Sequence, residues 1–526
     1  MAGLLTHIPL DTSFPFLVKN SGLCSYLKLI NVHSSGSVQD LHLIPFSPQP
    51  DSRLEGTKTV PKLLLFTRIM KHVYQLIHPS FHKTWTILIY FLDIWGVKTI
   101  DTYTYHNPLK NNMSVIIIIG DGMADEPIPQ LGNKTPLQVA HTPNMDYLAT
   151  HGQTGVLKTV PDGWEVGSDV ANLSILGYDV NQIYQGRSAF EAASLGIQLQ
   201  GDELALRCNL ITIEQDKITS FTADHISTEE AIVLLDYLNS HFQSKGFKFH
   251  VGEYYRHLLV CPSYEPTLTK SKSFLVGTSP HNALDLTKDH LYLKASIPEA
   301  EDLANKLNTL ILESQAVLAK HPINLKRISD GKKPANAISL WSPGFTPRMN
   351  PLKSFLPITT GSVISAVDLI KGIGIYAGLK VIEVAGATGR TNTNYEGKVQ
   401  AAIQALQTDD FVWLHLEASD EASHDGDYQL KIKTIEDLDS RVIHPLLEAT
   451  KNWEKPPLIA VLPDHPTSSL SKIHLDQKVP FIIYHPSITP DVVRAYNEAS
   501  CLEGLYNMEE GTDFISLLFR IEKEVL

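Results

Sequence analysis

At 526 residues, 43% of them hydrophobic, the chain is long enough for two or three domains with substantial cores and is not compositionally disordered. A formal net charge of −13 argues against nucleic acid or an anionic membrane surface as partner, since either favours a clustered basic face. The four cysteines, Cys24, Cys208, Cys261 and Cys501, lie far apart without CxxC spacing; they suggest neither a disulfide framework nor a thiolate zinc site, and a reducing cytoplasm is the expected compartment.

Residues 1–112 mix Pro, Ser and His with scattered apolar clusters and show neither repeated strand–helix units nor a helix with recognisable caps. Two readings stand for this stretch: an appended domain, or sequence included from upstream of the true start. The second is the expected one, because regular alternation of strands and helices begins only at Met113. The most apolar run, WTILIYFLDIWGV from Trp85 to Val97, is shorter than the roughly 18 residues a membrane span needs and carries Asp93. No secretory signal is read at the start, and no membrane partner is expected.

Val115 to Ile119 is β-branched and uniformly apolar, as suits a parallel strand buried on both faces, and the run stops at Gly120-Asp121-Gly122. Thr142-Pro143 reads as the N-cap and first residue of a helix that Gly152 ends. Ser168, after Gly167, opens a short apolar helix ending at Gly177. Residues 185–331 differ in texture: a hairpin (LALRCNLITI, then KITSFTA), a helix opening at Ser227 with Glu230 at capping-box spacing, a further strand, a helix from Pro298 and the basic stretch LKRISDGKK. The segment is expected to be a smaller α/β domain inserted between residues 113–184 and 332–526, over the strand ends where open α/β sheets bind ligands. Strand-like runs from Phe411, Leu458 and Val479, with an amphipathic helix from Tyr428 to Thr450, complete the first sheet. The fold class is therefore α/β, a doubly wound core carrying an inserted smaller domain.

Three acids follow buried strands: Asp121 after VIIIIG, Asp420 after FVWLHLEAS and Asp464 after LIAVLP. In a parallel sheet they emerge along one edge. Asp420 and His424 share a helical face at i, i+4, Asp464-His465 places two donors at a strand tip, and His474 follows. Singly, such residues are usually turn formers or solvated helix faces. Together, converging carboxylates repel unless neutralised, and carboxylate with imidazole suits a divalent ion such as Mn²⁺ or Zn²⁺. Ser168, at a helix N-terminus among free N–H groups, is either a simple cap or a nucleophile whose target phosphoryl group those N–H groups stabilise.

The stretches IGDGMAD, TPNMDYLATHGQTG, GSDVANLSILGYD, GRSAFEAASLGI, ALRCNLIT, ISAVDLIKGIGIYAGLKVIEVAGATG, TNYEGK, EASDEASHDGD and LPDHPT resemble, in order, the archaeal-type cofactor-independent phosphoglycerate mutases, a branch of the alkaline phosphatase superfamily. The resemblance covers the last 414 residues and none of the first 112. It implies interconversion of 3- and 2-phosphoglycerate, in glycolysis and gluconeogenesis, through a phosphoserine on Ser168. No 2,3-bisphosphoglycerate is needed. It also implies two divalent ions, Mn²⁺ foremost with Zn²⁺, Co²⁺ or Mg²⁺ as alternatives, one held by Asp121, Ser168, Asp464 and His465 and the other by Asp420, His424 and His474. The inserted segment becomes the phosphotransferase domain, with Arg187, Arg207, Arg256, His257 and His225, and Lys332 and Lys333 just beyond it, as candidate substrate contacts; arginine forks grip phosphate and carboxylate bidentately. Two stretches depart from the family pattern, AISLWSPGFTP and the Arg390-Thr391 pair in GATGRTNTNYEG. A phosphotransferase for another small acceptor such as homoserine, a metal-dependent phosphatase and a non-catalytic binding protein remain as alternatives.

Overall fold

The computed structural model describes residues 114–525, Lys272 excepted, and upstream of them the backbone of three strands, Phe14–Val18, Tyr26–Val32 and Val38–Pro45, paired antiparallel in that order. The sequence pattern there shows neither repeated strand–helix units nor a capped helix. The apolar run from Trp85 to Val97 lies outside the described residues. Among those described, no helix is long and apolar enough to cross a membrane.

The main sheet has eight strands in the order Lys380–Val381, Gly361–Ile364, Phe411–Leu416, Val115–Gly120, Leu458–Leu462, Val479–Tyr484, Gln153–Leu157, Tyr506–Met508. The first five run parallel. Val479–Tyr484 is antiparallel to both neighbours, so the sheet is mixed. Side chains of Val115, Ile117 and Ile119 pack against helices Ser168–Ile175, Asp368–Tyr376 and Asp513–Val525, while Ile116 and Ile118 meet Pro143–His151, Tyr395–Leu406 and Tyr428–Leu438 on the other face. Helices on both faces make the core doubly wound. They also explain the uninterrupted apolar strand, each buried isoleucine contributing about 1.5–3 kcal/mol. The helix expected from Tyr428 to Thr450 passes through a wider π turn at Asp439–Ile443, just before Pro445, whose ring and missing N–H the extra residue accommodates.

A second sheet, antiparallel throughout, orders Ala337–Phe345, Glu203–Glu214, Arg256–Pro262 and Lys248–His250, with Lys217–Ser220 hairpinned onto Glu203–Glu214. Helices Thr228–Phe242 and Glu301–Leu318 close its core. The strand Ala337–Phe345 moves the end of this sheet's segment beyond residue 331, because its partner, Glu203–Glu214, is distant in sequence. At the other end, helix Ser188–Ser194 packs on Asp368–Tyr376, with Phe190 in the main core. Ser227 caps its helix by accepting from the Glu230 N–H at 3.3 Å, but the Glu230 carboxylate is taken by buried Arg327 rather than returned to the cap.

Candidate active site

Strand register brings the acids together. Leu416 lies opposite Gly120 and Leu462 opposite Ile119, so Asp121, the Glu417–Asp420 turn and Asp464 leave the sheet at one level. Gly122 sits at φ 61°, and a side chain there would meet Asp420 Oδ1 and Thr467 Oγ1 at 2.6 Å; glycine lets the two loops approach. Lys431 and Asp125, both 0% exposed, pair at 2.9 Å beneath them, and Lys431 also donates to the carbonyls of Ala124 and Thr467, tying the Asp121 and Asp464 loops together.

His465 Nε2 lies 3.2 Å from Ser168 Oγ, 3.6 Å from Asp121 Oδ1 and 3.5 Å from Asp464 Oδ2. Asp420 meets His424 Nε2 at 3.3 Å and His474 Nε2 at 3.6 Å, and the two imidazole nitrogens face each other at 3.0 Å. The seven expected donors thus lie close together, and His465 stands with Asp420 and His474 as well as with Asp121 and Asp464. Ser168 is the first residue of its helix, after extended Gly167, and Asn172, one turn on, donates to both the Ser168 carbonyl at 2.8 Å and Asp464 Oδ2 at 2.9 Å.

Burial pushes the Asp121 carboxyl well up, and the charges of Asp464 and Asp420 add to it. At Asp420 burial acts the same way, but hydrogen bonds from His424 and His474 outweigh it and hold the group well below its usual range. The bond to Asp420 raises His424 to about 9, whereas burial lowers His465. Three carboxylates so close call for positive charge. Asp121 Oδ1 has no hydrogen-bond partner among the described residues, and Asp420 with His465 and His474, like Asp121 with Asp464 and His465, offers ligand atoms within 4.8 Å of one another. Mixed oxygen and imidazole donors in this geometry fit divalent ions.

His415 and Glu417, absent from the sequence-based candidates, join the cluster. They stand beside Asp121 at the end of the strand Phe411–Leu416 and just after it. Burial lowers His415 to about 4; burial, then Asp420 and Glu421, raise Glu417 to about 8. A histidine inside an otherwise apolar strand was the available signal. Thr467 was also missed: it donates to Asp420 Oδ1 at 2.7 Å and meets His465 Nδ1 at 3.2 Å.

The arginines are placed unequally. Arg187 Nε donates to Glu191 Oε1 and Arg207 Nε pairs with Glu191 Oε2, each at 3.0 Å, and Arg207 stacks on Trp341, its Cζ 4.1 Å from the ring centroid. Arg256 donates to the Tyr255 hydroxyl at 3.2 Å; against the effect of burial, Tyr255, Glu421 and Glu417 keep it charged, the two acids flanking Asp420 in sequence. His257 is buried, its Nδ1 accepting from the Gly252 N–H at 3.2 Å. His225 is exposed, the last of three left-handed residues, Ala223, Asp224 and His225, whose first two carbonyls accept from Arg327. Lys333 Nζ donates to the Thr219 carbonyl at 2.8 Å, and Lys332 is exposed. In the two departing stretches, Trp341 supports Arg207, and Arg390 is exposed, its charge reaching Glu421.

Residues 149–324 match the PhosphMutase family, described as 2,3-bisphosphoglycerate-independent phosphoglycerate mutase. The 2,3-bisphosphoglycerate-independent phosphoglycerate mutase of Methanosarcina mazei is 46% identical over 411 residues, 78% of this chain and 100% of the relative. The enzyme so named, number 2, of Methanothermobacter thermautotrophicus is 44% identical over 394 residues, 74% and 94%. Among solved structures, a protein from Pyrococcus horikoshii superposes with TM-score 0.65 at 29% identity, covering 78% of this chain and 98% of its own. The cofactor-independent phosphoglycerate mutase of Thermoplasma acidophilum superposes with TM-score 0.53 at 25% identity, covering 78% and 100%. Relatives above 40% identity, matched over 94–100% of their own length on a chain with this sheet-edge cluster, show that it belongs to the archaeal-type 2,3-bisphosphoglycerate-independent phosphoglycerate mutases and is an isomerase.

Proposed function

We propose that this mutase interconverts 3-phosphoglycerate and 2-phosphoglycerate through a phosphoserine on Ser168, with two divalent ions, manganese foremost, in cytoplasmic glycolysis and gluconeogenesis. The observation that carries the reading is the Ser168 hydroxyl, 3.2 Å from His465 Nε2 at the mouth of two carboxylate–imidazole sets. Asp121, Ser168, Asp464 and His465 would hold one ion and Asp420, His424 and His474 the other; when bound, they supply charge for the phosphoryl oxygens and acidify the serine hydroxyl.

Ser168 Oγ loses its proton and forms a bond to phosphorus, while the bond to the glycerate oxygen breaks and that oxygen takes a proton. Asn172 holds the serine's first turn, and the helix N-terminus directs N–H groups at the transferred phosphoryl. The smaller antiparallel sheet serves as the phosphotransferase domain. Its arginines, Arg256 foremost, keep the glycerate in place until its other hydroxyl attacks the phosphoserine, which restores Ser168. Water must be excluded meanwhile, or the phosphoserine hydrolyses and the enzyme acts as a phosphatase.

A coupled mutase assay tests the reading. Activity should vanish on chelation, return with Mn²⁺ alone and ignore added 2,3-bisphosphoglycerate. Full turnover by metal-stripped protein, or phosphate from labelled substrate found on a residue other than Ser168, would overturn it.

A further inference from the structure

We propose that Glu191 is a positioning residue: its carboxylate aims Arg187 and Arg207 together, so that both present their Nη edges to the substrate's phosphoryl group. The role rests on arginines meeting the substrate, as the proposed function has it. Arg187 stands one helical turn before Glu191, at the start of Ser188–Ser194, whose Phe190 is seated in the main core. Arg207 comes from the strand Glu203–Glu214 of the second sheet. One carboxylate therefore spans two elements that belong to different cores.

The manner of sharing carries the inference. A carboxylate that only stabilises a fold does best by giving both oxygens to one guanidinium, as a fork. Glu191 instead gives Oε1 to Arg187 Nε and Oε2 to Arg207 Nε, each at 3.0 Å, and among the described residues neither guanidinium makes another hydrogen bond or ion pair. With Nε occupied, the edge left to each arginine is Nη1–Nη2, which fits two oxygens of a phosphoryl group. The side chain of Glu191 is 12% exposed, that of Arg207 17% and that of Arg187 33%, so the guanidiniums are more open than the carboxylate that orients them. Trp341, opposite Arg207 in the strand register, stacks on its face and leaves it little other freedom. Burial pushes the Glu191 carboxyl up, but Arg207, Arg187 and Arg256 outweigh it and keep the group ionised. Three guanidiniums around one carboxylate leave a positive surplus that a phosphoryl dianion balances. Asp169, the residue after Ser168, is the next charge after Glu191 to act on Arg187, which places the pair at the nucleophile's side of the cleft.

The test is a double-mutant cycle on the full-length, Mn²⁺-loaded enzyme. Glu191→Gln keeps the shape, but its amide can accept from only one guanidinium. It should lower kcat/KM for 3-phosphoglycerate about ten- to hundredfold, through a raised KM and weaker competitive inhibition by inorganic phosphate, while melting stays cooperative. In an Arg207→Ala background, which leaves only Arg187 to misplace, the same substitution should cost about fivefold less. Equal losses in the two backgrounds, no loss in the wild-type background, or a loss confined to kcat would overturn the positioning role. Glu191→Asp keeps the charge but is one methylene too short to span both arginines; full activity there would overturn it too, and should Glu191→Gln fail to fold, Glu191→Asp decides by the same cycle. If Arg207→Ala alone turns over like wild type, the arginine part of the proposed function falls and this role with it. Impairment in Arg207→Ala with an additive effect of Glu191→Gln refutes the positioning role alone.

Discussion

Arg187 and Arg207 share one carboxylate, Glu191, whereas Arg256 has a neutral phenol as its hydrogen-bond partner. On the proposed mechanism, Arg256 is thus the better placed to hold an anionic glycerate between the two transfers. Losing a charge-assisted contact costs roughly 1.5–3 kcal/mol, so Arg256→Ala should lower mutase turnover about ten- to hundredfold while phosphoserine still forms and inorganic phosphate leaks. Equal loss of both activities, measured on one preparation, would place Arg256 in general phosphate binding. Ser168→Ala should abolish turnover with melting and metal content retained; measurable mutase activity in the folded variant would end the covalent mechanism. His257 makes a pH prediction. Burial lowers it to about 4, below an unfolded value of about 6.5, so the unfolded chain binds a proton that the fold refuses between those values. Its contribution is whole above pH about 6.5 and is lost as pH falls towards about 4, by up to roughly 3 kcal/mol. His257→Asn keeps an acceptor for the Gly252 N–H without titrating, and its urea midpoint should fall less than wild type's between pH 7 and 5. Parallel declines would show that the imidazole titrates alike in the folded and unfolded states.

Helix Asp368–Tyr376 joins the main core to helix Ser188–Ser194, and the joint depends on a missing side chain. A Cβ on Gly372 would lie 1.9 Å from the Phe190 carbonyl oxygen and 2.4 Å from its carbon, both backbone atoms. Alanine favours a helix by about 1 kcal/mol over glycine, but separating two packed helices costs about 1–3 kcal/mol or more. Gly372→Ala should therefore lower the denaturation midpoint, and because Arg187 is carried at the start of Ser188–Ser194, turnover should fall with it. A midpoint at or above wild type would mean that the helices part without penalty.

At the scale of the whole molecule, every donor of the cluster and every arginine discussed lies between Asp121 and His474. Residues 1–111 supply none of them. Starting the chain near Met113 should leave turnover and melting unchanged; an insoluble or inactive product would show that the upstream residues pack on the enzyme. The net charge of −13 means that an anionic substrate must be drawn by local cations, a task that the proposed function assigns to the arginines and the metal sets.

The sequence by itself determined the α/β core and made Ser168 and the six other candidate donors legible, because a strand followed by an acid, an i, i+4 pair and a glycine-preceded helix start are local patterns that survive without their partners. Family motifs added the pairing into two sets. The tertiary structure decided what depends on contacts between distant segments. It put Ala337–Phe345 into the second sheet through pairing with a strand over a hundred residues earlier, engaged Arg187 and Arg207 with Glu191, and turned His257 inward. It also brought His415 and Glu417 beside Asp121, because parallel pairing of Phe411–Leu416 with Val115–Gly120 sets two segments almost three hundred residues apart at one level, and no local periodicity encodes that register.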